Sequence, residues 1–294
     1  MTHQEIEKRL WKWMCLGLIA SLILGFGVLT TDAAHGQTGG AEVSGSLSED
    51  ITWTKAGSPY VVTGNTTVSE GVTLVIEPGV QVRFDGDYWL GINGTIVARG
   101  TTGSPIVFTS NQVNPAPADW DEIGFGDSSV DYDPTTGHGS IMENVIVEYG
   151  GGHGRDRMVN ISAASPLIKD CIFRKGTNGG VNVESGAAPI IEGNTFEGLK
   201  GGLWISGGSN PVVKGNTFRD NRWAVEMHPS CSPEFAGNTA TGNVYNGVRV
   251  SSGDTVASVT WYADLPYIPD GNVHVPQGAV MTVQPGAEVR FNCD

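Results

Sequence analysis

One repeat length constrains this chain more than any other feature. Pro166, Pro189, Pro211 and Pro233 are spaced by 23, 22 and 22 residues, and the segments they open superimpose. Ser165 to Phe173 (SPLIKDCIF) aligns with Ala188 to Phe196 (APIIEGNTF), Asn210 to Phe218 (NPVVKGNTF) and Ser232 to Ala240 (SPEFAGNTA). A second strand-like triplet alternates with them, starting at Val159, Val181, Leu203, Val225 and Val248. A fixed period of this size predicts a solenoid, in which each unit buries its apolar residues only against its neighbours. No unit contains a stretch long enough for an apolar helical face, which excludes the helical repeat classes. Gly supplies 42 of the 294 residues, about twice the usual share, and Gly disfavours helix. What remains is all-β: parallel coils of about 22 residues stacked about 4.8 Å apart, with alternate side chains inward.

One column of the alignment reads Cys171, Asn194, Asn216, Asn238, and Gly193, Gly215 and Gly237 mark the turn before it. Asn tolerates left-handed turn conformations and its amide can bond the Asn of the next coil, so an Asn ladder is expected there.

A longer repeat encloses the short one. Pro59 to Phe84 reappears as Pro266 to Phe291, offset by 207, with Pro, Tyr, Gly, Asn, Val, Arg and Phe positions identical; Trp53 and Trp261 precede the two copies. The expected organisation is therefore a module of about nine coils over 51–253 and the start of a second, homologous module over 254–294, broken off partway.

The first residues read as an address. Lys8, Arg9 and Lys12 precede an uncharged run from Met14 to Leu29, followed by Ala33-Ala34-His35-Gly36. This is the order of a secretory signal over 1–36, with 37–50 as a linker. An uncleaved membrane anchor is the alternative, since about 16 apolar residues reach the short limit for a span. Either reading exports the rest, to the medium or the cell surface, with membrane contact only through an uncleaved N-terminal segment. The formal charge is −14, and no Lys/Arg run grips phosphates, so nucleic acid is not an expected partner. Cys15 falls in the leader, leaving Cys171, Cys231 and Cys293, an odd number that predicts a free thiol or a missing partner.

The GVTLVIEPGVQVRF opening at Gly71 to Phe84, SPIVFTS at Ser104 to Ser110, DWDEIGF at Asp119 to Phe125 and the P-x-(I/V)-x-G-N-T-F coils at Pro189 and Pro211 carry a family likeness. Together they resemble the exported right-handed parallel β-helix proteins of the pectate-lyase-like superfamily, over about Ile51 to Gly253. The resemblance implies a right-handed coil. It leaves activity open, because that superfamily mixes lyases, hydrolases and epimerases with non-catalytic surface proteins. It also implies that sugars, where bound, lie along an outward strand face.

On the triplet strand the central residues point outward, giving the row Asn160, Asn182, Trp204, Glu226, Arg249 and a neighbouring row Ser162, Glu184, Ser206, His228, Ser251. A Trp beside a carboxylate and an Arg suits a sugar ring and its acidic groups. Asn182, Trp204, Trp223, Glu226 and Arg249 are thus the candidate ligand-binding residues. In an enzyme, a polysaccharide lyase or glycoside hydrolase, Glu226, Arg249 and His228 would be the catalytic candidates. Against this, Glu226 and Arg249 one coil apart make an ordinary surface ion pair. Glu184 and Glu226, two coils apart, stand roughly 10 Å from each other, at the margin of the inverting-hydrolase spacing. The leading expectation is a non-enzymatic module that presents this face to a polysaccharide or cell-surface protein, with a purely structural spacer as the third reading. No cofactor is expected. Weak Ca²⁺ candidates are Asp127, Asp131 and Asp133 in a long acidic loop, and Asp156 in Gly151-Gly-His-Gly-Arg-Asp-Arg-Met-Val159, a lone nonapeptide of the calcium-binding type.

Overall fold

A computed structural model describes residues 40–154, 157–255 and 258–291. The expected signal or anchor over 1–36 lies outside these residues, as do Asp156 and Cys293. The described chain is a parallel β-solenoid of about eleven turns with about 22 residues per turn. Its one helical element among the described residues is a 3-10 turn, Lys55–Gly57.

Each full turn contributes three short strands, which stack into three sides. Side A runs through Gln81–Phe84, Ile106–Ser110, Val145–Glu148, Ile172–Arg174, Thr195–Glu197, Thr217–Arg219 and Thr239–Thr241. Side B runs through Leu90–Ile92, Ile123–Phe125, Arg157–Ser162, Gly179–Glu184, Gly201–Ile205, Trp223–Met227 and Tyr245–Asp254. Side C is an eight-stranded sheet from Ile51–Trp53 to Glu234–Ala236. All of these pairings are parallel, because each strand meets its own equivalent one turn away.

Period-two alternation puts every second side chain inside. Val159, Val181, Leu203, Val225 and Val248 are in register and fully buried, and Phe173, Phe196 and Phe218 stack with ring centroids 4.9 Å apart. The spacing of the rings equals the rise of the coil, so one Phe per turn fills the interior without a gap.

The Asn ladder is present. Asn194 Nδ2 donates to Asn216 Oδ1 at 2.9 Å, and Asn216 Nδ2 to Asn238 Oδ1 at 3.0 Å. Part of the expected reason needs correction: the left-handed residue is the one before each Asn, Gly193 at φ 68°, Gly215 at φ 63° and Gly237 at φ 67°. The glycine makes the turn, and the Asn satisfies the backbone that the turn leaves unpaired. A second ladder that the alignment did not suggest runs beside it, with Leu199 N and Asn221 N donating to Asn221 Oδ1 and Asn243 Oδ1.

Where a linker was expected over 37–50, Ala41–Leu47 is a strand paired in parallel with Tyr60–Val68. Cys171 and Cys231 are free thiols, both buried. Burial pushes the Cys171 thiol up to about 12, and it also raises that of Cys231.

Candidate functional site

Side B brings the expected row together. Asn160, Asn182, Trp204, Glu226 and Arg249 are direct partners in successive coils, so their side chains follow one another up the same outward column. Asn182 Nδ2 donates to Asn160 Oδ1 at 2.7 Å, and Asn160 Nδ2 to Glu184 Oε1 at 3.3 Å, which ties the neighbouring row to the first. Glu226 and Arg249 form an ion pair at 2.9 Å, and Arg249 is paired on its other side with Asp270. Partial burial works against the Arg249 charge, but the hydrogen bond to Asp270 and the Glu226 carboxylate outweigh it and raise its pKa. An Arg held between two acids acts as a cross-brace whose charge is already paired.

Trp204 differs from expectation. Gly201, three residues earlier, has no side chain, and a Cβ there would stand 3.6 Å from the indole. The ring therefore lies down on the sheet, where the Arg157 guanidinium stacks over it. Its Nε1 is buried with no hydrogen-bond partner among the described residues. An approaching molecule meets Arg157 first and the indole second. Arg157 opens its strand two positions before the apolar repeat; its role was not legible because only the bare backbone at Gly179 and Gly201 lets it reach Trp204.

Two depressions flank the Glu226–Arg249 pair. One, about 200 Å³, is lined by Arg157, Asn182, Trp204, Glu226, His228 and Ser251. The other, about 250 Å³, is lined by Arg222, Trp223, Tyr245, Arg249, Ile268 and Asp270. Trp223 therefore does not share the Trp204 hollow; it is 9% exposed, lies nearly parallel to Tyr245, and has Arg222 and Arg249 over its ring. His228 lines the first hollow, and its Nδ1 accepts from Ser230 N at 3.2 Å, so the ring is held by its own turn.

The acidic loop uses its carboxylates internally. Asp133 accepts from Thr135 N at 2.8 Å and Thr136 Oγ1 at 2.9 Å, which lowers its pKa, and Asp131 accepts from Ser165 N at 2.6 Å. Among the described residues no group of three or more His, Cys, Asp or Glu side chains is placed to hold a metal ion, and Asp127 joins no such group.

Comparison with known proteins agrees with this architecture. A family model described as a right-handed beta helix region matches residues 126–260, and one described as a pectate-lyase like beta helix domain matches residues 45–162. A stretch of 63 residues is 38% identical to "Protein bark beetle" of Drosophila melanogaster, covering 21% of this chain and 2% of that protein. The chain thus corresponds to a small fraction of that relative's length. No solved structure matches.

Proposed function

We propose that this chain, a right-handed parallel β-helix protein of the pectate-lyase-like kind, is an exported module that binds a polysaccharide on side B without turning it over. The observation that carries the reading is the first hollow. Its guanidinium-topped indole, Asn182, Glu226 and His228 offer donors and acceptors around a ring-sized floor on the outward face of side B. A planar guanidinium carried on an indole, with hydrogen-bonding groups around it, suits an acidic sugar. Binding rather than catalysis is favoured because the catalytic candidates are already engaged: Glu226 with Arg249, Arg249 with two acids, and His228 with its turn. Export rests on the reading of residues 1–36.

A glycan array probed with the wild-type chain and with Trp204→Ala tests this. Trp204 points outward, so the variant keeps its core, checked by circular dichroism. The expected result is binding to a subset of polysaccharides and at least tenfold loss in the variant. Equal binding by both, or none by either, overturns it. Cleavage of a bound glycan by the wild type that is lost in Glu226→Gln would replace binding with catalysis.

A further inference from the structure

Where cations stack on the sides of this solenoid, acids are interleaved with them. Arg99, Glu143, Lys169, Glu192 and Lys214 succeed one another on side C, and Glu148, Arg174, Glu197 and Arg219 on side A. One pair departs from this. Gly201 and Trp223 are register partners on side B, and the residues just before them are Lys200 and Arg222, both exposed. Two positive side chains therefore leave the same column one coil apart. The column continues with Asn178 below and Val244 above, the residues before Gly179 and Tyr245, so no carboxylate enters it. Like charges set against each other on neighbouring strands are unfavourable.

The acids nearby are used elsewhere. Lys200 Nζ donates to Asn178 Oδ1, a neutral group, at 3.4 Å. The Arg222 guanidinium lies over the Trp223 ring, 4.4 Å from its centroid, and among the described residues it has no ion pair or side-chain hydrogen bond. Asp220, two residues earlier, directs its carboxylate to the bare Gly242, where a Cβ would stand 2.4 Å from Oδ1. Asp270, the acid lining the hollow of about 250 Å³ beside Arg222, is paired with Arg249, as is Glu226. Stacking also preorganises the donor, because a guanidinium seated on an aromatic face keeps its N–H groups in its own plane. Trp223 is held in turn against Tyr245, nearly parallel at 6.4 Å.

We propose that Lys200 and Arg222, with the Trp223–Tyr245 hollow beside them, bind a tetrahedral oxyanion ester, a sulfate or phosphate group carried on a sugar. The donor set selects this chemistry. A carboxylate fills the fork of one Arg with its two oxygens, whereas an ammonium about 4.8 Å along the axis from that fork serves a third oxygen. Only the sugar that carries the group rests on the polysaccharide reading; the anion contact stands without it. The site lies across the Glu226–Arg249 pair from the Trp204 hollow, so a chain seated in both crosses that brace.

The test follows the Trp223 indole N–H and the Arg222 Nε–H by nuclear magnetic resonance in ¹⁵N-labelled full chain, at constant ionic strength. Sodium sulfate and sodium phosphate should each give saturable shifts, with sodium acetate weaker by about tenfold or more. The double variant Lys200→Gln, Arg222→Gln should abolish the Trp223 response; both side chains are exposed, and circular dichroism checks that the coil is kept. Trp204→Ala should leave the sulfate titration unchanged. A sulfated or phosphorylated oligosaccharide should then bind more tightly than its unesterified form, and the double variant should lose that difference. Saturable sulfate binding without any glycan binding would end the polysaccharide reading and keep the anion site. Shifts that fail to saturate, acetate binding as tight as sulfate, or a double variant that still responds would overturn the proposal.

Discussion

At the scale of single residues, the polar columns inside this solenoid matter as much as the apolar ones. Asn216 is fully buried and makes four bonds: its Oδ1 accepts from Asn194 N and Nδ2, and its Nδ2 donates to Ile191 O and Asn238 Oδ1. Replacing it by Leu leaves several buried partners unpaired at once, each costing about 1–3 kcal/mol. Asn216→Leu should lower unfolding free energy in urea by about 3–5 kcal/mol; a loss under about 1 kcal/mol would mean the ladder is dispensable. Cys171, at the ladder's end, gives a pH signature. Its thiol titrates near 9.0 when unfolded and is pushed up to about 12 by burial in the fold. A group whose pKa is raised by folding supplies stability below the unfolded value and loses it above, so alkali should destabilise the chain progressively from about pH 9. Cys171→Ala should show a flatter stability profile above pH 9 than the wild type in parallel denaturant titrations.

At the scale of elements, two outward columns alternate in sign. On side A, Glu148, Arg174, Glu197 and Arg219 are in register in successive turns, with Arg174 Nε 2.9 Å from Glu148 and Arg219 Nε 2.8 Å from Glu197. On side C, Arg99 pairs with Glu143 at 2.8 Å and Lys169 with Glu192 at 3.6 Å. Each pair is worth little alone, but a coil slipped by one turn would set like charges opposite each other. Glu197→Lys places a cation between Arg174 and Arg219 and should destabilise by about 1 kcal/mol at low ionic strength. In 1 M salt the loss should largely vanish; persistence there would assign it to packing instead. The strands were legible in the sequence because a 22-residue period repeats inward residues, and those are chemically monotonous. Trp204, Glu226 and Arg249 were placed on one column for the same reason. What was not legible depends on tertiary placement: Arg157 reaching across two bare glycines, Asp270 closing on Arg249 from the second copy, and Trp223 turning into a separate hollow.

At the scale of the whole molecule, a solenoid's stability is a sum over neighbouring coils, so the same residue has a different worth at different heights. The long repeat makes this measurable inside one chain. Phe84 and Phe291 are equivalent, as are Ile76 and Val283, yet Phe84 and Ile76 are 0% and 1% exposed while Phe291 and Val283 are 72% and 47% exposed. In the first copy the turns beginning at Leu90 and Ile106 cover this level; in the second, Trp261, Met281, Val283, Val289 and Phe291 line an apolar hollow of about 820 Å³. Removing a buried Phe ring forfeits transfer energy and leaves a cavity, about 3–5 kcal/mol, whereas trimming an exposed one forfeits little. Phe84→Ala should therefore lower the unfolding free energy by that amount and Phe291→Ala by less than about 0.5 kcal/mol. Hydrogen exchange should follow the same gradient, with Tyr267–His274 and Met281–Val283 amides exchanging before those of Gly179–Glu184 and Gly201–Ile205, because the latter strands bury most of their side chains and the former leave most of theirs in contact with solvent. If both Phe variants lose equal stability, or if the interior strands exchange first, the chain unfolds as one indivisible unit and coil-by-coil additivity fails for it.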